Sequence, residues 1–553
     1  MSIPARRSRT FVSLSLLALG EALAQPNPPP PQAPAPNLLA EGGNSQGYDM
    51  APETRLEVVE AAVAAIPSPL PPGPFQPTWD SLKANYRVPA WFNDAKFGIF
   101  MHWGLYAVPA HHNEWYEKHM YGTAGISQWH VATFGPHEKF GYKDFIPLFT
   151  CEKFDAQAWA ALFQKSGARF VIPTAQHHDN FALWDSQVTP FNSKKMGPKR
   201  DLIGELEKAV RAQGMKFGVS NHGIENFQFI NPPAALLAEL KAKQADLFDP
   251  KWAAFYNVAD RSEAALKRFL VDWYERNVEL IEKYQPDMLW FDNGVDIRYL
   301  DPLKLRIAAH YYNRAAQWGR DVSLSTKKAA YSPTDKNTGT IGSIIDFEKV
   351  GGRSPSGIRT GAWQVDDPIG STWGYTTGMK ISDAGALIGR LIDTVSKNGT
   401  YLLNISPKPD GTIPQDQQDV LLAIGRWLEV NGEAIYGTHS WTKFGEGSRG
   451  QAGPYHRFTV KGDTLYVILI GQPSSFDVTI SSLVHAPLLN NKVTQVSLLG
   501  GPSELEFTHD ATGLKVKLPS TLPGLYAYTL KISGLKMNPP TATPDGNPLT
   551  PTR

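Results

Sequence analysis

From residue 96 onward, apolar positions along this chain switch repeatedly between two spacings. Stretch 96–103 is apolar and strand-like, 156–166 carries the three-to-four spacing of a helix, and 169–174 returns to a strand. Helical 201–213 precedes strand 216–220, and the long helical stretch 262–283 leads into the apolar run 288–291. Beyond it lie helix 302–318, strand 322–325, a strand-like 343–347, helix 383–396, strand 401–405 and helix 416–429. Such alternation predicts a parallel β/α architecture. Polar and acidic residues recur where the strands end, which favours a (β/α)8-type barrel, whose strand ends open into the site, over an open sheet. No G-x-G-x-x-G opens a helix after a strand and no phosphate-loop signature occurs, which argues against a nucleotide-binding doubly wound sheet. From 441 to 533 the period drops to two, with short apolar alternations separated by Gly, Asn and Pro. That predicts a β-sandwich, expected to pack against the barrel.

The remainder divides into flanking segments. Arg6, Arg7 and Arg9, the apolar run 11–19 and Ala22-Leu23-Ala24 form the pattern of a secretory leader over 1–24. The run is too short for a permanent membrane span, so the mature protein is expected to be soluble and exported, periplasmic or extracellular. Residues 25–76 read as a Pro-rich linker and N-terminal extension, with a short helix at 54–65. The barrel is assigned to 77–440, the sandwich to 441–535 and a Pro/Thr-rich disordered tail to 536–553. A formal net charge of +1 on 553 residues gives no electrostatic reason to expect nucleic acid or an anionic membrane as partner. One cysteine, Cys151, rules out an intrachain disulfide and a cysteine metal site.

The candidate chemistry sits at predicted strand ends. Asp292 follows Met288-Leu289-Trp290-Phe291, with Asn293-Gly294 turning the chain away. A carboxylate there is a candidate nucleophile or proton carrier, or a plain turn cap. His102 and Trp103 end the first strand, Asn113-Glu114-Trp115-Tyr116 lies in the loop after it, and His177-His178-Asp179 follows the second. Imidazoles and a carboxylate that direct hydrogen bonds, next to indole faces, suit a sugar. Zinc is the competing reading, weakened because adjacent residues point apart and no H-E-x-x-H occurs; buried histidines satisfied by backbone are a third. Trp363-Gln364 and Trp373-Gly374-Tyr375 are candidates for a pocket wall. A glycosidase needs a second carboxyl group, roughly 5 Å from the nucleophile in a retaining enzyme. Asp346 and Glu348 alternate with apolar residues, and Glu348, nearer the strand's end, is the better acid/base; Asp179, Glu225 and Asp296 are rivals.

These stretches, together with 91–100, Arg200-Asp201-Leu202-Ile203-Gly204-Glu205, 401–405 and 431–436, run in an order that resembles the α-L-fucosidases of glycoside hydrolase family 29. The resemblance implies a barrel followed by a β-sandwich, and retaining hydrolysis of terminal α-L-fucosides without metal or other cofactor. It places the nucleophile at Asp292 and the acid/base at Glu348. Contacts to fucose hydroxyls fall on His102, Glu114, Trp115, His177 and His178, with Trp290 near the sugar and Trp373 a weaker match. Three departures stand out. The family's lysine before the paired histidines is Gln176 here, its glycine after the aspartate is Asn180, and the third strand ends in Ser220-Asn221-His222-Gly223, where Asn221 or His222 would take over a sugar contact. The expected partner is an α-L-fucose-containing glycan. A related sugar such as an α-L-galactoside, or an inactive carbohydrate-binding homologue, are the alternatives.

Overall fold

The computed structural model describes residues 52–333, 340–348, 355–447, 455–485 and 492–537. The expected leader over 1–24, the Pro-rich stretch up to residue 51 and the tail beyond 537 lie outside the described residues. Eight parallel strands close a barrel in sequence order: β1 (Phe97–Met101), β2 (Phe170–Gln176), β3 (Lys216–Asn221), β4 (Met288–Phe291), β5 (Ser323–Lys327), β6 (Ile344–Asp346), β7 (Trp363–Pro368) and β8 (Thr400–Ile405).

Residues alternate between the two faces of each strand. Phe100, Phe170, Ile172, Met288, Trp290, Ile344 and Leu402 fill the inside of the barrel. Their neighbours Ile99, Met101, Val171, Leu289, Phe291, Ile345 and Leu403 pack outward beneath the helices. Gly98 leaves room for this interior, since a Cβ there would stand 2.4 Å from the Phe170 ring. Extending the inward parity past the last apolar residue gives His102 after β1, His222 after β3, Asp292 after β4, Lys327 on β5, Glu348 after β6, Asp366 on β7 and Asn404 on β8. The barrel mouth is therefore polar by register.

The helix feeding β4 shows how the elements are delimited. The Ser262 side chain accepts from the Ala265 N–H and caps the helix Glu263–Tyr284. The helix ends at Gln285 in a left-handed conformation, and Pro286 cannot continue it. Its face of Leu266, Phe269, Leu270, Trp273 and Leu280 is buried. The helix Pro52–Ala65, expected from sequence, packs against it. Residues 66–76 are strapped down rather than loose, because Asn313 accepts from the Phe75 N–H at 2.9 Å and donates to the Pro71 and Phe75 carbonyls.

After the barrel, β9 (His439–Glu446), β10 (His456–Lys461), β11 (Thr464–Ile470), β13 (Gln495–Leu498) and β16 (Ala527–Ser533) form one antiparallel sheet in the order β13-β16-β11-β10-β9. A second sheet holds β12 (Asp477–Ile480), β15 (Gly513–Lys517) and β14 (Phe507–Asp510) in the order β12-β15-β14. Phe458, Leu465, Val467, Ile480, Val516 and Leu530 fill the space between them. The opposite face of the larger sheet packs against the barrel helices through Tyr466, Ile468 and Ala527. Trp427 Nε1 donates to the Ala527 carbonyl at 2.9 Å, and Thr529 Oγ1 to Asn431 Oδ1 at 2.7 Å.

Candidate active site

Asp292 is 7 % exposed and surrounded by donors from three strands. Lys327 Nζ lies 3.1 Å from Oδ1, His222 Nδ1 3.1 Å from Oδ2 and His178 Nε2 3.4 Å from Oδ2. Burial alone would raise this carboxyl; the Lys327 ammonium and then the two imidazoles outweigh it and hold it well below the usual carboxylate range. Asp292 is thus an anion across the neutral range, aimed into the mouth.

Glu348 reaches the same ammonium, with Oε2 3.5 Å from Lys327 Nζ. The two carboxyl oxygens therefore lie no farther apart than the sum of those two contacts, which accommodates the separation of roughly 5 Å a retaining pair requires. Glu348 is the more open of the two, its side chain 19 % exposed against 9 % for Asp292. The rivals stand elsewhere. Asp179 accepts from the Tyr142 hydroxyl at 2.8 Å and the Phe181 N–H at 3.2 Å. Glu225 stands 3.5 Å from His178 Nδ1, and Asp296 pairs with Lys328 at 3.4 Å.

Lys327 escaped the sequence reading, which ended that strand at residue 325. It also lies 3.4 Å from Asp366 Oδ2. Burial lowers this ammonium, but Asp292, Asp366, Glu348 and Asp346 outweigh that and raise it well above the ordinary lysine value. Beneath it, Asp346 accepts from Trp290 Nε1 at 2.8 Å, Gln364 Nε2 at 2.5 Å and the Asp366 N–H at 3.1 Å. No hydrogen-bond partner reaches the Asp366 carboxyl oxygens among the described residues. Burial and then the neighbouring Asp346 push Asp366 well up, and burial raises Asp346 as well.

The imidazoles form the opposite wall. Asn404 Nδ2 donates to the Trp373 carbonyl at 2.8 Å, so its Oδ1, 2.7 Å from His102 Nδ1, accepts that ring's proton. His102 Nε2 is left as an acceptor. Burial and then His222 keep His102 neutral, and burial with its imidazole neighbours does the same for His177. His178 differs. Burial opposes its protonation, yet Glu225 and Asp292 on its two sides raise it, while burial pushes His222 down to about 4. Glu114 joins through the loop after β1, with Oε2 accepting from the Trp373 and Gly374 N–H groups at 3.2 Å each. The Trp115 ring meets the edge of His178 at 5.8 Å and carries Lys118 Nζ 4.6 Å over its face. Trp373 lies 5.2 Å from the His102 ring, with Lys327 Nζ 5.3 Å from its centroid. Trp290 lies wholly inside the barrel as a floor, 5.1 Å from His222.

Asn221 does not join them. Its amide donates to Asn277 Oδ1 at 3.1 Å and accepts the Gly223 N–H at 2.8 Å, turned outward by the same parity that turns His222 inward. Of the pair offered for the third strand, His222 alone faces the mouth. Trp103, grouped by sequence with the site indoles, also turns outward onto Phe149, Phe154 and Trp159. Trp363 is not a pocket wall. It opens β7, packs against Phe347 and is 1 % exposed. Burial pushes the Cys151 thiol up, which removes it as a nucleophile.

Two triples among the described residues, His102–His177–His222 and His178–His222–Asp292, bring ligand atoms within 4.8 Å of one another, as a metal ion would require. The second already has a cation. An ion on Asp292 would share that carboxylate with the Lys327 ammonium at close range, and the repulsion would oppose both.

The family described as Alpha-L-fucosidase matches residues 63–433, and the one described as Alpha-L-fucosidase C-terminal domain matches residues 453–533. The tissue alpha-L-fucosidase of Homo sapiens is 31% identical, over 84% of this chain and 93% of its own. The alpha-L-fucosidase of Dictyostelium discoideum is 30% identical, over 82% and 90%. Among solved structures, the Thermotoga maritima alpha-fucosidase in complex with fucose is 32% identical, covers 83% of this chain and 100% of its own, and superposes with a TM-score of 0.66.

Proposed function

The chain belongs to the alpha-L-fucosidase family, and from that premise we propose that it hydrolyses terminal α-L-fucosides with retention of anomeric configuration. One observation carries the reading: a single ammonium, that of Lys327, touches both Asp292 and Glu348.

In the first step an Asp292 oxygen attacks the anomeric carbon as the bond to the leaving oxygen breaks, and Glu348 gives that oxygen its proton. In the second step Glu348 takes a proton from water, the water oxygen attacks the same carbon, and the bond to Asp292 breaks. Lys327 keeps the attacking group ionised before reaction and offsets the charge returning to it afterwards. Neutral His102 and His177, with Glu114, meet sugar hydroxyls, and the greater exposure of Glu348 gives the leaving group and water a route. The substrate is a glycan ending in α-L-fucose.

Proton NMR of the first-formed sugar tests the mechanism. Retention gives the α anomer before mutarotation, and a β anomer first would overturn it. Parallel rates on aryl α-L-fucoside and aryl α-L-galactoside test the sugar. A Glu348→Gln enzyme should keep most of its kcat/KM on an aryl fucoside with a very acidic phenol and lose it on an alkyl fucoside, because only the latter needs the proton in the first step, while kcat falls on both because the attacking water has lost its base.

A further inference from the structure

Gln176 and Asn180, which flank the His177-His178-Asp179 turn, meet in the folded protein on a third buried side chain. Asn180 sits in the left-handed region, with φ +64°. Gln176 Nε2 donates to Asn180 Oδ1 at 3.1 Å. Arg276, on the helix Glu263–Tyr284 and 4 % exposed, donates through Nη1 to that same Asn180 oxygen and to Gln176 Oε1 at 3.4 Å. Its Nη2 donates to Asp272 at 2.6 Å. Asn180 Nδ2 donates to the Ala254 and Phe255 carbonyls at 2.9 and 3.0 Å.

The residues between these two are His177, His178 and Asp179. The turn that carries both imidazoles is thus clasped at its two feet, and Gln176 bridges to Ala182 where the chain returns. The same clasp sets the neighbouring strand end. The Gln176 carbonyl accepts the His222 N–H at 2.9 Å, and Gly223 lies so near the Gln176 amide that a Cβ would stand 2.2 Å from Nε2. One buried network therefore spaces His178 and His222, the two rings that flank Asp292.

We propose that Arg276, acting through Gln176 and Asn180, is a positioning residue that holds His178 and His222 against Asp292. It does not touch the mouth itself. A guanidinium suits the task because its planar fork holds two acceptors in fixed relation, which the point charge of a lysine does not. The proposal rests on the reaction assigned above.

The test is the rate at which 2-fluoro-α-L-fucosyl fluoride labels Asp292 in the full chain, followed by mass spectrometry, with kcat, KM and Tm for an aryl α-L-fucoside. Arg276→Met keeps the length and removes the donors, leaving Asp272 free to hydrate, since it is 40 % exposed. Labelling and kcat should fall about 10- to 100-fold with KM little changed, as expected for a displaced reacting group. Arg276→Lys should recover part of the loss. Should Arg276→Met fail to fold, Asn180→Gly, which tolerates the left-handed backbone, removes the central acceptor and should give the same kcat-weighted loss. Folded variants that label at the wild-type rate would overturn the proposal and leave the reaction standing. A wild-type chain that never labels would overturn the reaction, and the proposal with it.

Discussion

The two sides of the barrel mouth follow one register rule, shifted on β2 between Thr174 and Gln176, and reach opposite electrostatic states. On β1 to β3, burial leaves His102, His177 and His222 neutral, each offering ring nitrogens as directed donors or acceptors. On β4 to β7, four carboxyl groups gather round one lysine. Neutral imidazoles are inexpensive to bury and suit hydroxyl groups, whereas carboxylates can be buried at this density only when a cation and a retained proton offset them. Lys327 is that cation, and Asp346 and Asp366, both raised, are the pair that favours a retained proton. His178 is the link. It stands on the imidazole side, yet Glu225 and Asp292 draw it toward the charged state. On the proposed reading, recognition and reaction are separated by strand except at His178 and His222, which touch Asp292, and a substitution on one side should read out differently from one on the other.

Removing the charge on the reacting side should have the largest effect. Asp292→Asn is expected to lower kcat by on the order of 10⁴-fold with the Tm preserved or lowered. A fall would follow because the amide leaves the buried Lys327 ammonium one anion short. Normal turnover by a folded Asp292→Asn enzyme would remove the proposed nucleophile.

Lys327→Met comes next, with a loss in kcat/KM of about 100- to 1000-fold, the scale for one preorganised electrostatic contact. Its signature is in the pH profile. Asp292 is depressed in the fold, so its contribution to stability is present above the unfolded carboxyl value of about 3.9 and fades as pH falls through its lower folded value. Lys327 is raised, so its contribution is present below the unfolded lysine value of about 10.4 and fades as pH climbs through its folded value. Without the ammonium, the acid limb of kcat/KM should move to higher pH. A limb that stays in place would mean that the imidazoles, not Lys327, hold Asp292 ionised.

The two sides were also unequally legible. The imidazole side is written in short contiguous words, His177-His178-Asp179 and Asn113-Glu114-Trp115, whose composition alone suggests a binding surface. Asp292 shows because an apolar run leads straight into it. Lys327 and Asp366 are single polar residues on strands whose inward positions are otherwise Ser323, Ser325 and Gln364, so neither apolar run nor alternation marks them. β7, with Gln364, Asp366 and Asp367 in six residues, reads as loop for the same reason. Parity counted from the barrel interior would have found them, since 323, 325 and 327 face the way 288, 290 and 292 do. That parity is visible only once the closed barrel fixes which face is inside. The same rule separates Asn221 from His222, which composition could not do.

On the recognition side the losses should be smaller and weighted toward binding. Glu114→Gln turns an amide onto the Trp373 and Gly374 N–H groups and removes a charged acceptor, a change worth about 1.5–3 kcal/mol. That corresponds to a fall in kcat/KM of roughly tenfold to 100-fold. KM or the inhibition constant of free fucose should carry most of it. A loss confined to kcat would place Glu114 with the reacting groups and blur the division.

The smallest functional effect is expected at Asn221, which sits beside His222 in sequence and behind it in space. Its side chain joins the Gly223 N–H to Asn277 on the helix Glu263–Tyr284 and is wholly buried. Asn221→Ala leaves both partners unsatisfied, at a cost of about 1–3 kcal/mol in folding free energy. The variant should melt earlier and require less denaturant to unfold. Its KM for an aryl α-L-fucoside, per folded molecule, should not change, because no atom of Asn221 faces the mouth. His222→Ala should reverse the pattern, with kcat reduced through the lost contact to Asp292. If Asn221→Ala raised KM and left the melting curve alone, the side chain would have to reach the sugar, and the outward parity assigned to the end of β3 would be wrong.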